Sequence, residues 1–277
     1  MVYTLPYFQK KFTFVIQVMM MGMRKFYFIL FYFLYGILPP AFSQNPLVKQ
    51  WDRRFGGTGD DQFTCFQQTK DGGYILGGST YSGIGGDKTQ ATQGLHDYWI
   101  VKIDSLGNKQ WDKDFGGAND ENLSSLQQTK DGGYILGGWS SSGISGDKTQ
   151  ASWGNTDFWM VKIDSSGNKQ WDKDFGGTDA DGIRSLQQTG DGGYILGGFS
   201  WSGIGGDKSQ ASWGTVDYWI LKTDALGNKQ WDKDFGGAGE DALFSLQQTM
   251  DGGYILGGVS ESGVGGDKTQ PAQGVYD

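Results

Sequence analysis

A 60-residue repeat constrains this chain more than any other feature, because self-similarity at a fixed period is the signature of repeat architectures. The repeat runs through residues 50–277 without insertion or deletion. Gln-Trp-Asp recurs at 50–52, 110–112, 170–172 and 230–232. Asp-Gly-Gly-Tyr-Ile-Leu-Gly-Gly recurs at 71–78, 131–138, 191–198 and 251–258. The repeat domain therefore divides into units 50–109, 110–169 and 170–229 and an incomplete unit, 230–277.

Each unit predicts four short strands. In the second unit they are Leu123–Thr129, Tyr134–Ser140, Asp157–Asp164 and Lys169–Phe175. An Asp-Gly-Gly turn separates the first two strands and supplies the positive φ that tight hairpins need. A long Gly/Ser/Asp-rich loop, 141–156, follows the second strand. No stretch has helical periodicity.

Tandem units of four antiparallel strands are typical of propeller blades. We therefore expect an all-β fold of β-propeller-like tandem four-stranded antiparallel blades with a 60-residue period. An open β repeat array is the alternative. Aromatic residues at fixed offsets should form the layers between blades; in the second unit they are Tyr134, Phe158, Trp159, Trp171 and Phe175.

The strand inventory predicts an incomplete last blade. Lys49–Phe55 is expected to be an isolated fourth strand, and a third strand of the last unit would begin near Val275. The chain would then either close as a defective four-blade ring or be a fragment of a longer repeat protein. We expect the fragment, because a break within a repeat leaves unpaired sheet edges.

The N-terminal region predicts export. Residues 23–43 combine Arg24 and Lys25, an apolar core of 13 residues and a small-x-small cleavage site ending at Ser43. This is the pattern of a secretory signal peptide. The apolar core is shorter than the ~20 residues that span a bilayer. We therefore expect no membrane insertion after signal removal, with an uncleaved anchor as the alternative.

The remaining N-terminal segments complete the domain organisation. Residues 1–22 end in a cluster of Met residues and are expected to be a start-site artefact, with Met23 as the true start. Residues 44–49 form a short linker before the repeat domain, 50–277.

Charge and residue counts exclude several functions. The net charge is −8, and loss of Lys10, Lys11, Arg24 and Lys25 with the leader would bring it near −12. A chain this acidic lacks the basic surface that nucleic acids require, so no nucleic-acid partner is expected. One cysteine and one histidine, Cys65 and His96, leave no disulfide, no cysteine zinc site and no multi-histidine metal site.

The motifs of the units resemble those of a family of secreted bacterial proteins. They read Lys-Gln-Trp-Asp-Lys-Asp-Phe-Gly-Gly, Leu-Gln-Gln-Thr-x-Asp-Gly-Gly-Tyr-Ile-Leu-Gly-Gly and Gly-Asp-Lys-Thr-Gln, and the resemblance covers 50–277. They look like delta-60-type repeat proteins, whose longer members end in a type IX secretion sorting domain. The resemblance implies a secreted or cell-surface location in a Gram-negative bacterium, with the periplasm as the alternative. It implies no single activity.

A second resemblance is at the level of the fold. The segment Asp164–Trp171 is similar to the tryptophan-docking turn of quinoprotein-type propellers, with one residue fewer between Asp and Gly. It implies that the tryptophan pins one blade to the next, and it transfers no chemistry. The residues given this structural role are Trp111, Trp171 and Trp231.

The Gly/Asp-rich loop at 82–89 suggests two ligands. A Walker phosphate loop needs Gly-Lys-[Ser/Thr] before a helix, whereas Asp87 precedes the lysine here. Calcium takes about six to eight oxygen ligands, and one Asp per loop supplies few of them. We expect a solvated, hydrogen-bonded turn without a cofactor, with Ca²⁺ as the alternative.

Acidic residues recur just after each fourth strand, at Asp61, Glu121, Asp181 and Asp241. Paired carboxylates can serve glycoside hydrolysis. Groups that recur in every unit are more often turn and capping residues, because a single substrate needs a single geometry. The sequence therefore favours a role without catalysis, and a glycan-active hydrolase is the alternative.

Differences between the near-identical units predict a ligand surface. The differing residues are concentrated just after the second strand and in the long loop. In a propeller, the loops that join the second and third strands lie on the same face as the links between blades. Exposed aromatic side chains beside carboxylates suit stacking on an extracellular glycan or contact with a protein. The candidate ligand-binding residues are Tyr81, Trp139, Trp153, Trp201 and Trp213 together with the four recurrent acids. Coverage of the blade rims, in a purely structural surface array, is the alternative.

Overall fold

The computed structural model describes residues 2–3 and 49–277, and these fall into two units, 1–53 and 54–277. In the first unit, strand β1 (Val2–Tyr3) pairs antiparallel with strand β2 (Lys49–Trp51). β2 ends at Trp51, so the strand predicted over 49–55 is shorter than expected. The predictions for the signal peptide and start site lie outside the described residues, apart from Val2 and Tyr3.

The second unit consists of antiparallel sheets in tandem. Three sheets have four strands each, in chain order, and the last has two. The first blade contains β3 (Asp61–Gln68), β4 (Tyr74–Thr80), β5 (Asp97–Ile103) and β6 (Lys109–Phe115). The second contains β7 (Glu121–Gln128), β8 (Tyr134–Ser140), β9 (Asp157–Ile163) and β10 (Lys169–Phe175). The third contains β11 (Asp181–Gln188), β12 (Tyr194–Ser200), β13 (Asp217–Thr223) and β14 (Lys229–Phe235), and the half blade contains β15 (Asp241–Gln248) and β16 (Tyr254–Ser260).

The expected all-β fold of tandem four-stranded antiparallel blades with a 60-residue period is confirmed. The predicted strands of the second unit agree with β7–β10 to within two residues at each end. Each blade takes its fourth strand from the sequence unit that follows. Asp277 exchanges two backbone hydrogen bonds of 3.1 Å with Ser260, at the position where a third strand pairs in the complete blades.

Glycine turns connect the first and second strands because the backbone there requires positive φ. Gly132 has φ of 88°, and its N–H donates to the Thr129 carbonyl at 3.0 Å. The Asp131 carboxylate accepts a 3.0 Å hydrogen bond from the Gly133 N–H. The turn is therefore closed by local hydrogen bonds, which explains why the sequence signal is reliable.

The hydrophobic core lies between the blades. The third strands β5 and β9 are buried along their whole length, because strands flank them in the sheet and neighbouring blades cover their faces. The Tyr98 ring packs 4.8 Å from the Trp159 ring of the next blade, and the Phe158 ring packs 4.7 Å from that of Trp219. Each blade thus needs its neighbour to bury its aromatic side chains.

The array of blades is open. The first strand of a blade contacts the first three strands of the preceding blade: β7 contacts β3, β4 and β5, and β11 contacts β7, β8 and β9. Large apolar side chains at the two ends of the array, including Phe66 and Ile255, are exposed. The open-array alternative therefore describes this unit better than a closed ring.

The part of the chain that the structure describes contains no helix with the length and hydropathy that a bilayer crossing requires.

Candidate functional site

The long loops and the links between blades lie at the same end of the blades. The Leu95 N–H donates to the Asn119 carbonyl at 2.9 Å, and the Glu121 N–H donates to the His96 carbonyl at 2.7 Å. The next junction repeats this pairing, since the Asp181 N–H donates to the Thr156 carbonyl at 2.7 Å. The variable positions of the long loop therefore lie beside the junctions between blades.

Four of the five aromatic candidates are exposed. Trp153 and Trp213 have relative exposures of 57% and 58%, in equivalent positions of successive long loops. Tyr81 and Trp201 are also exposed, whereas Trp139 is half-buried. Since large apolar side chains are usually buried, exposed tryptophans at repeated positions mark a candidate contact surface.

Trp153 forms one wall of a cleft of about 570 Å³ between the second and third blades. Its ring lies against the backbone of Gly206, where an added Cβ would come within 3.0 Å of the indole. The indole lies beside the Asp207 carboxylate and favours its charged form. Asn228 and Lys229 are on the opposite wall. An aromatic face thus meets acidic, amide and basic groups across one opening.

Burial raises the pKa of Asp207 above the ordinary carboxyl range. The Gly176 N–H and the positive charge of Lys229 oppose this shift. The Asp207 side chain is half-buried and lines the cleft.

The first junction has the same cleft without the tryptophan. Its volume is about 280 Å³, and Gln93 occupies the position of Trp153. The Gln93 side-chain amide donates a hydrogen bond to Asp147, the counterpart of Asp207. Asn168 and Lys169 repeat the opposite wall. The residue at this one loop position is therefore the main chemical difference between the two clefts.

A second kind of cleft, of about 340 Å³, lies between the first and second blades and includes Trp139 in its lining. His96 Nδ1 lies 2.7 Å from Asp120 Oδ1, and the Tyr81 ring is 5.3 Å from the imidazole. As the one histidine of the sequence, His96 does not by itself predict a site. It is, however, a position at which the units differ, because the next unit has Thr156 there, and such a difference can indicate a site.

The four recurrent acids bond to the links between blades. The Glu121 carboxylate accepts hydrogen bonds of 2.7 Å from the Gly117 N–H and the Ser140 hydroxyl. The carboxylates of Asp61, Asp181 and Asp241 accept equivalent 2.7 Å bonds from glycine N–H groups at 57, 177 and 237. Glu121, Asp181 and Asp241 are buried, and burial raises the pKa of Asp181 to about 6. Their geometry is that of turn and capping residues.

The Gly-Asp-Lys-Thr loop differs from the solvated turn that we expected, because its lysine is buried. Lys88 Nζ lies 2.5 Å from Asp114 Oδ2, and neither side chain is more than 2% exposed. Lys148–Asp174 and Lys208–Asp234 repeat this buried ion pair in the next two blades. The loop folds over the fourth strand, where the Thr89 N–H and hydroxyl both donate to the Asp112 carboxylate at 2.8 Å.

A second carboxyl group adjoins each buried pair. Burial raises the pKa of Asp114 to about 9, the neighbouring Asp97 carboxyl acts in the same direction, and Lys88 opposes the shift. Two carboxylates beside one ammonium would leave a net buried negative charge, so one retained proton makes the cluster neutral. The sequence feature that accompanies this cluster is a pair of opposite charges at fixed positions: a lysine in the long loop and an aspartate in the fourth strand recur in each complete blade.

The three tryptophans given a structural role contact the next blade. The rings of Trp111, Trp171 and Trp231 are 6.0, 5.9 and 5.9 Å from those of Tyr134, Tyr194 and Tyr254, each in an edge-on arrangement. The tryptophans of the third strands, at 99, 159 and 219, are more deeply buried. The indole of Trp159 donates a 3.2 Å hydrogen bond to Asp172 of its own blade.

Among the residues that the structure describes, no cluster of three or more His, Cys, Asp or Glu side chains has an arrangement that could hold a metal ion.

Searches against protein-family models and against curated proteins give no match for this chain. The fold and the clefts define a class: an all-β protein of tandem blades with clefts at the blade junctions.

Proposed function

We propose that this chain is a secreted or cell-surface repeat module that binds carbohydrate in the clefts between its blades. The observation that carries the proposal is the exposed Trp153 indole, held over a cleft of about 570 Å³ whose other walls are polar. Sugars present apolar C–H faces that stack on aromatic rings and hydroxyl groups that bond to carboxylates and amides. Trp153 would supply the ring, and Asp207 and Asn228 would supply the polar partners.

The position of the indole supports this role over simple coverage of a blade rim. Contact with Gly206 holds the ring in one orientation while more than half of its surface faces solvent. A ring that is already oriented loses little conformational entropy on binding. The smaller first cleft, with Gln93 in this position, is the internal comparison.

A glycan array with the full chain, followed by titration of tryptophan fluorescence with the best ligand, tests the proposal. Trp153→Gln gives the second unit the residue that the first unit has, and it should weaken binding at least 10-fold without a change in melting temperature. Gln93→Trp is the reciprocal variant and should add a binding site in the first cleft. Sugar binding that is unchanged in Trp153→Gln would refute this cleft as the site.

A screen of chromogenic glycosides, run beside the glycan array, separates the alternatives. A hydrolase would release product from chromogenic glycosides, and a single carboxylate substitution would abolish that activity. A purely structural array would bind no glycan. A protein-binding module would also bind no glycan, but it would bind a protein partner, and Trp153→Gln would weaken that binding.

The proposed location has its own test. Cleavage after Ser43 predicts that N-terminal sequencing of exported protein begins at Gln44. Retention of the chain in the inner membrane, or a different first residue, would contradict this expectation.

A further inference from the structure

The cleft of about 340 Å³ at the first blade junction shares no lining residue with the Trp153 cleft. His96 lines it from the first blade, and Asp120 and Trp139 line it from the second. Both of these blades are complete four-stranded sheets, so the cleft is formed entirely within the array. We call it the His96 cleft.

The His96 cleft carries an excess of negative charge. Asp60 is exposed in its lining, and the Asp120 side chain is 37% exposed. The one basic side chain of the lining is His96, whose Nδ1 lies 2.7 Å from Asp120 Oδ1. Glu121 also lines the cleft, but its carboxylate is buried and accepts a hydrogen bond from the link between the blades. Two accessible carboxylates thus adjoin a single imidazole.

Aromatic rings adjoin these carboxylates. Trp139 is a half-buried part of the lining, and the exposed Tyr81 ring lies 5.3 Å from the His96 imidazole. The faces of such rings attract a cation within about 6 Å, and the flat guanidinium of arginine also stacks on them. Carboxylates beside aromatic faces therefore suit a planar cation.

The third blade contains an example of this contact. Phe199 is the counterpart of Trp139, and the Arg184 guanidinium lies 5.1 Å from the centre of the Phe199 ring. The second blade has Ser124 at the position of Arg184, so it lacks the side chain that makes this contact. At Trp139 the guanidinium would have to come from another molecule.

We propose that the His96 cleft binds an arginine side chain of a partner protein. The guanidinium stacks on Trp139 and donates hydrogen bonds to the carboxylates of Asp60 and Asp120, because its fork of N–H groups fits carboxylate oxygens. The net charge of −8 favours the approach of a basic partner surface. The site does not depend on sugar binding in the Trp153 cleft.

The second junction lacks the acidic part of this site. Thr156 and Ala180 replace His96 and Asp120 there, and the aromatic ring at the position of Trp139 already has a guanidinium of the chain beside it. Arginine binding is therefore expected at the first of these two junctions and not at the second.

An NMR titration of the full chain with Nα-acetyl-arginine amide, whose capped ends imitate a peptide, tests the proposal. His96 is the one histidine of the sequence, so its ring C–H signals report on this cleft alone. These signals should shift until the cleft is saturated. Nα-acetyl-citrulline amide has nearly the same shape without the charge and should bind at least 10-fold more weakly. Equal binding of the two amides, or His96 signals that do not shift, would overturn the proposal.

A substitution taken from the next unit tests the carboxylate. Asp120→Ala introduces the residue found at position 180 and should weaken binding of the arginine amide at least 10-fold. Glu240→Ala is the matched control, because it removes an acidic side chain at the same position of the last unit, and it should bind like the wild type. Undiminished binding by Asp120→Ala would count decisively against the site.

Ser124→Arg provides a test that removes no residue of the cleft. The third blade already holds an arginine at this position, so the sheet accepts it, and the new guanidinium should cover Trp139 and weaken binding at least 10-fold. Ser124→Ala should bind like the wild type. Trp153→Gln should also bind the arginine amide normally, which separates this site from the sugar cleft. Wild-type affinity in Ser124→Arg would show that Trp139 does not hold the guanidinium and would overturn the proposal.

Discussion

The second strand of each blade contains the repeated sequence Tyr-Ile-Leu-Gly-Gly, and its first glycine offers a sharp test of the packing between blades. In Gly197→Ala the new Cβ would lie 2.6 Å from Leu246 Cδ2 and 3.2 Å from Leu243 Cδ2, both in the next blade. Gly197 is not among the positive-φ glycines, so alanine can adopt its backbone conformation and the cost is one of space.

The expected magnitude follows from two opposing effects. Overpacking a close-packed interior costs about 1–3 kcal/mol. Replacing glycine by alanine in a compatible conformation restores about 0.4–1 kcal/mol through the unfolded chain. We therefore expect Gly197→Ala to destabilise the protein by about 1–2 kcal/mol, which corresponds to roughly 2–8 °C in melting temperature for a domain of this size.

The other blades supply a graded series in the same local sequence. Gly77→Ala, with a nearest atom at 2.5 Å, should cost about as much as Gly197→Ala, and Gly137→Ala, at 2.9 Å, should cost less. Gly257→Ala meets no atom within 4 Å and should be neutral or slightly stabilising. Thermal and urea unfolding of all four variants, at one protein concentration, measures the series. Equal losses at 197 and 257 would refute the reasoning, because local strand propensity would then explain both.

Two more predictions follow from the site geometry. Trp171→Ala should lower the free energy of unfolding by about 1.5–3 kcal/mol, which is below the usual cost for a fully buried ring because Trp171 is half-buried. Trp153→Ala should leave the melting temperature nearly unchanged, because Trp153 is exposed. Equal shifts in melting temperature for the two variants would contradict the assignment of core and surface. Burial raises the pKa values of Asp114, Asp174 and Asp234 to about 9, 8 and 7. Above pH ~4 the unfolded chain loses these protons while the folded protein keeps them, so the stability that the protonated carboxyl groups contribute is complete below pH ~4 and is lost as the pH rises through the raised values. Melting temperature should therefore fall between pH 6 and 9.5, and Asp174→Asn, which cannot ionise, should reduce that fall; a melting temperature that rises over this interval would contradict the prediction.

The strands could be predicted because their signals are local. The Asp-Gly-Gly turn at 131–133 closes on its own hydrogen bonds, and the strand Asp157–Ile163 is rich in aromatic and β-branched residues. Neither signal depends on the number of blades or on how the chain ends.

The buried lysines could not be predicted in the same way. Lys148 and Asp174 are 26 positions apart, and only the folding of the long loop over the fourth strand brings their side chains together. A lysine next to Gly and Asp in a polar loop usually remains in solvent. Whether the blades close into a ring is also a long-range property, because it depends on the angle between successive sheets.

The long loop separates the residues that fold the chain from the residue proposed to give it specificity. On one side of Trp153, the Lys148 ammonium pairs with Asp174 and donates to the Gln150 carbonyl at 3.0 Å. On the other side, the Trp153 N–H itself donates to the buried Asp157 carboxylate at 2.6 Å. These anchors use the backbone or residues that every complete unit repeats, so they do not depend on the side chain at 153.

The consequence is that the side chain at this position can change while the loop remains fixed. The Gln93 N–H makes the same bond to Asp97 at 2.5 Å, although its side chain differs from Trp153 in size and polarity. The buried charge clusters therefore explain how nearly identical blades can present chemically different clefts: they hold the loop backbone rigid, and a single exposed side chain then determines the width of the cleft and the surface that a ligand meets.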